Sequence, residues 1–134
     1  MNMKQNPASE YQSTGTYSGV MYADPHSLIT QMFDGALRRI AQAKGAMDRN
    51  DLSLQGELIS KSIQIIASLD ACLDHEKGGD LSTNLAQLYE YMIMTLTKAN
   101  MNKDMDQLNE VTKLILEIKS AWVQIAPTDA QKAG

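Results

Sequence analysis

The sequence predicts an all-α protein: an antiparallel up-down four-helix bundle preceded by a flexible N-terminal arm. Three observations predict it. Four segments of about 20 residues repeat apolar positions at alternating spacings of three and four, the rhythm of one helix face. The segments are joined by short turns, which force antiparallel neighbours, and their spacing favours crossing angles near 20°. Only three Pro and eight Gly occur in 134 residues, and no alternating Val/Ile/Thr run signals a strand.

Residues 1–23 read as the arm. Asn, Gln, Ser, Thr, Gly and Tyr dominate from Asn2 to Tyr22 without a sustained period, the composition of a mobile segment. Tyr11, Tyr17, Val20, Met21 and Tyr22 nevertheless make it sticky. The bundle is expected over residues 24–127 and a frayed tail over 128–134.

The first helix begins at Asp24-Pro25, a favoured N-cap followed by a favoured first residue. Its stripe is Ile29, Phe33, Ala36, Ile40, Ala43 and Met47, and it ends at Asp48-Arg49-Asn50-Asp51. The second, Leu52 to Leu73, carries two adjacent stripes: Leu54, Leu58, Ser62, Ile65, Leu69 and Cys72 beside Ile59, Ile63, Ile66 and Leu73. So wide an apolar face implies either two neighbours or an exposed groove. Gly78-Gly79 predicts a stop, with Asp80 capping a third helix whose stripe is Leu81, Leu85, Leu88, Met92, Leu96 and Ala99. After Asn100–Lys103, Asp104 caps the fourth, with Leu108, Val111, Ile115, Ile118, Trp122 and Ile125 on its seam and Pro127 as its stop.

Composition excludes several functional classes. Hydrophobic residues at 43% and charged residues at 21% suit one globular domain. A single cysteine, Cys72, forms no internal disulfide and suits a reducing compartment. The first twenty residues lack the apolar run of a signal peptide, and no stretch is long enough to span a membrane. A net charge of −4 without a basic block disfavours nucleic acid as a partner.

No enzyme is expected. His26 falls in the first turn of a helix and is expected to be solvated. Asp70, Asp74 and His75 lie close in sequence, but the paired Glu-x-x-His motifs of bundle metal sites do not occur, so no metal and no cofactor are expected. Cys72, on an apolar stripe, reads as a buried inert thiol. Phosphate-cradling, dinucleotide and nucleophile-elbow motifs are missing. What remains is surface. Nine Met accompany one Phe, and Met recurs on adaptable binding surfaces. Met92 belongs to the core stripe, whereas Tyr91, Met94, Met101 and Met105 lie off it or at its margin.

Tyr11, Ala23-Asp24-Pro25-His26, Asp34-Gly35-Ala36, Gly78-Gly79 and Asn84-Leu85 then take on a collective meaning. So do Leu88-Tyr89-Glu90-Tyr91-Met92, Ala99-Asn100, Glu110-Val111 and Lys119-Ser120-Ala121-Trp122. In this order and spacing, over residues 11 to about 125, the chain resembles the flagellin export chaperones of the FliS family. The spacer between Ser13 and Gly19 departs from the family pattern. The resemblance implies a cytoplasmic bundle that binds the disordered C-terminal segment of flagellin, prevents premature polymerisation and supports delivery to the type III export gate. Client segments are then expected over grooves lined by Leu54, Leu58, Ile59, Tyr89, Tyr91 and Met94. The arm, through Tyr11 and Val20, is expected to cover apolar surface until a client arrives. The alternative is a self-associating structural bundle with no client, its surplus apolar face being a dimer interface; the expected state is monomer or homodimer.

Overall fold

Four aspartates start four helices. In the computed structural model, which describes residues 24–125, α1 spans Pro25–Asp48, α2 Leu52–Ala71, α3 His75–Asn102 and α4 Met105–Val123. The predicted arm, with Tyr11 and Val20, and the predicted tail and Pro127 stop lie outside the described residues. The Asp24 carboxylate accepts from the Ser27 amide at 2.8 Å, Asp51 from Leu54 at 3.2 Å, Asp74 from Lys77 at 3.0 Å and Asp104 from Gln107 at 3.2 Å. Each satisfies one otherwise orphaned amide, worth about 1 kcal/mol.

The third cap corrects the sequence reading in part. Asp74, not Asp80, caps α3, whose first turn precedes the predicted start, while the predicted break at Gly78-Gly79 is present as a non-helical kink at Gly79 between that turn and the main helix. Gly79 has φ 52° and ψ −127°, a conformation that L side chains rarely adopt. Gly78 serves space instead: a Cβ there would sit 1.8 Å from Ser82 Oγ, which donates to the Asp74 carbonyl at 3.1 Å. Asn50 and Lys103 close the turns at the opposite end in the left-handed region, and the Lys103 ammonium donates to the Asn50 side chain.

Each helix packs on its sequence neighbours, and α4 closes the ring on α1. Contacts between helix ends fix the directions. His26, at the start of α1, meets Trp122 at the end of α4; Gln55, at the start of α2, meets Asn100 at the end of α3. The bundle is therefore up-down-up-down, as predicted. Phe33, Ala36, Ile40, Ile59, Ile66, Met92, Leu96, Leu108, Val111 and Ile115 form its closed interior.

Several side chains depart from expectation. Cys72 is exposed, because α2 ends at Ala71 and its thiol lies beyond the packed seam. Leu81 is 65% exposed, since the first turn after the Gly79 kink has Ser82 turned inward in its place. Ile125 is exposed beyond the end of α4. His26 is buried at 8% exposure rather than solvated. Its Nε2–H donates to the Trp122 carbonyl at 2.8 Å, while Trp122 Nε1–H donates to the His26 carbonyl at 3.0 Å. The two rings stack with centroids 4.6 Å apart. The clasp ties the first turn of α1 to the last turn of α4.

Candidate functional site

The wide face of α2 is consumed by two neighbours, α1 and α3. Leu58 and Ile59 are buried in the core at 8% and 1% exposure, and Leu54 is half-buried beside them. Tyr89 is also buried, at 4% exposure. The expectation that Leu58, Ile59 and Tyr89 line an open groove is thus corrected: the bundle itself uses them. Residues 89 and 91 are two apart, about 200° around a helix, so they cannot share a face. Tyr89 turns in and Tyr91 turns out.

Tyr91 and Met94 do stand in solvent, and Met101 continues their line down α3 at 75% exposure. The spacing i, i+3, i+10 puts all three on one outer stripe about 15 Å long. The Tyr91 hydroxyl donates to the Glu110 carboxylate of α4, which pins the ring across the α3–α4 seam. That hydrogen bond to the carboxylate raises the Tyr91 phenol above its ordinary pKa. The half-buried Leu88, Leu114 and Ile118 lie against the core on these same two helices. An adaptable Met pair beside a fixed aromatic is a surface suited to another helix.

Other chemistry is sparse. A shallow hollow between the end of α2 and the start of α3 is lined by Asp70, His75, Thr83, Ala86, Gln87 and Glu90. Among the described residues, no group of three or more His, Cys, Asp and Glu is placed to hold a metal ion. No described helix is long and apolar enough to cross a membrane. Among the described residues, Tyr89 carries the one large pKa shift: burial first, then the nearby Asp70 and Cys72, push its phenol up to about 12. The sequence reading set Met101 off the core seam with Tyr91 and Met94 but left it out of the expected groove, although its spacing from them held the signal. It also missed the His26–Trp122 clasp, whose partners lie 96 positions apart.

Fold and surface define the class: an up-and-down helical bundle that keeps an apolar helix stripe in solvent. Residues 7–129 match the family described as flagellar protein FliS. The chain is 47% identical over 113 residues to the flagellar secretion chaperone FliSB of Pseudomonas aeruginosa, covering 84% of this chain and 90% of that protein. It is 43% identical over 118 residues to the flagellar secretion chaperone FliS of Salmonella typhimurium, covering 87% of each. Against the protein of that name from Vibrio cholerae it is 40% identical over 117 residues, covering 87% of this chain and 86% of the other. The chain belongs to the FliS family.

Proposed function

We propose that this protein is a cytoplasmic, non-enzymatic flagellar secretion chaperone. It holds the disordered C-terminal segment of flagellin, prevents premature polymerisation and assists type III export, with export-gate components as further partners. The observation that carries the reading is the α3 stripe of Tyr91, Met94 and Met101, exposed on a bundle that spends the predicted groove residues Leu58, Ile59 and Tyr89 on its own core. Family membership supports it independently.

The mechanism is one of covering. An unfolded client with amphipathic segments aggregates through its apolar faces, and ordering one such segment along α3 hides that face. Met94 and Met101 adapt to irregular client side chains, while Tyr91, pinned by Glu110, supplies a rigid edge. Ordering the client costs conformational entropy, which limits net affinity and permits release without nucleotide. Leu54 flanks the bundle as a secondary contact, and the buried Leu58, Ile59 and Tyr89 back the surface from within. The arm, through Tyr11 and Val20, covers apolar surface in the absence of client.

Co-purification with full-length flagellin and with flagellin lacking its C-terminal segment tests the reading. Retention of the full-length protein alone is expected; equal retention of both, or of neither, contradicts it. A chain lacking residues 1–20 is expected to bind flagellin more tightly and to take up more hydrophobic dye. Unchanged affinity and dye uptake would remove the arm from the mechanism.

A further inference from the structure

All three arginines of the chain lie on α1 or at its C-cap: Arg38, Arg39 and Arg49. Between residues 35 and 47 that helix carries Arg38, Arg39 and Lys44 and no carboxylate, in a molecule of net charge −4. Asp34 and Asp48 flank this stretch; Asp34 is paired with Lys119, and none of the three guanidinium groups is paired with a carboxylate among the described residues. Arg38 and Arg49 are eleven positions apart, within about 20° of the same line on the helix and about 16 Å apart along it. The Cβ position of Gly45 is 3.1 Å from Arg49 Nη1, so the Arg49 guanidinium folds back over α1 where a glycine leaves room, whereas the buried Gly35 packs on Ile65 of α2 at 3.5 Å and lies only at the edge of Arg38, 4.0 Å from its Nη2.

We infer that this outward face of α1 is a second docking surface, built for a short acidic segment of a protein partner. Guanidinium forks match carboxylates in bidentate geometry, and a group folded back on the helix, as Arg49 is, loses less freedom on pairing than an extended one. Three forks are too few for a nucleic acid, whose binding commonly rests on 6 to 10 phosphate contacts. The body's negative charge repels an extended polyanion or an anionic membrane, whereas a short segment touches only the cationic island. Helix α1 sits diagonally across the ring from α3, each packing on α2 and α4. The basic face and the Tyr91–Met94–Met101 stripe therefore point to opposite sides, and one molecule has room for both partners at once. This inference stands whether or not the α3 stripe holds flagellin.

The probe is a rhodamine-labelled helical peptide of about 15 residues with Glu pairs spaced about 16 Å apart, titrated into the full chain and followed by anisotropy. The same peptide with Gln in place of Glu, a single-stranded oligonucleotide and a phosphatidylserine vesicle are titrated alongside. The Glu peptide is expected to bind at least about tenfold more tightly than the Gln peptide. Raising salt from about 0.01 M to about 0.15 M, which shortens the screening length from about 30 Å to about 8 Å, is expected to weaken it. The variant R38Q/R39Q/R49Q is expected to lose at least about tenfold in affinity while its helical circular dichroism is retained; K98Q/K113Q, away from α1, is expected to bind like the parent. Equal binding of the Glu and Gln peptides, no loss in the arginine variant, or equal loss in the lysine variant would overturn the inference. So would tighter binding of the oligonucleotide or the vesicle than of the Glu peptide.

Discussion

His26 and Trp122 show how much one pair of side chains does at the open end of the bundle. Each ring nitrogen reaches the other's backbone carbonyl, and the rings stack between those bonds. His26→Ala removes a donor from the Trp122 carbonyl together with the stack, so a loss of about 1–3 kcal/mol in urea unfolding is expected. Trp122 is the only tryptophan, so its emission reports the same event; an unchanged midpoint would mean the clasp contributes nothing. Tyr89 makes stability depend on pH at the alkaline end. Its folded pKa of about 12 lies above the ordinary 10.0, so the folded state keeps a proton that the unfolded chain has lost between those values. Its contribution is whole below pH 10 and fades as pH rises towards 12. Urea titrations across that window are expected to show falling stability, and Tyr89→Phe to flatten the slope. The same slope in the variant would assign alkaline unfolding to other groups. Residue orientation was where sequence reasoning reached least far. Tyr89 and Tyr91 are chemically alike and nearly adjacent, and only the rotation of α3 decides which is spent on the core.

Helix identities and starts were far more legible than orientations, because caps and periodicity are local. Asp24, Asp51 and Asp104 sit where the chain itself announced a helix or a turn. The third start was missed because two glycines look like a terminator, whereas Gly79 takes up a bend that lets one turn precede the main helix. Gly79→Ala is expected to cost more than about 1 kcal/mol, as its φ of 52° with ψ −127° penalises any Cβ although nothing lies near it. Asp51→Ala is expected to cost about 1 kcal/mol through the lost cap. Thermal unfolding of both variants checks this, and Gly79→Ala as stable as the parent would mean the kink is not needed. The cationic face of α1 was legible only in part. A net charge of −4 concealed it, since Arg49 stands ten positions beyond Arg38-Arg39 and forms no block with them until the helix brings Arg38 and Arg49 into line.

At the scale of the whole molecule, the ring of four helices separates what holds the protein together from what it offers to others. The wide apolar face of α2 looked like surplus in sequence and proves to be shared between two neighbours. Exposed apolar side chains remain on every helix, and the stripe of Tyr91, Met94 and Met101 on α3 is the one the proposed function uses. A residue that only the surface uses should leave stability alone when changed, so M94D/M101D is expected to unfold within about 0.5 kcal/mol of the parent. Leu58→Ala, by contrast, removes core volume and is expected to cost about 2–5 kcal/mol. The most direct test of the account pairs that unfolding curve with the affinity of M94D/M101D for full-length flagellin, measured by calorimetry on the same preparation. The account predicts an unfolding midpoint like the parent's with binding weakened at least about tenfold, roughly 1.4 kcal/mol; parental affinity in a fully folded variant would contradict it.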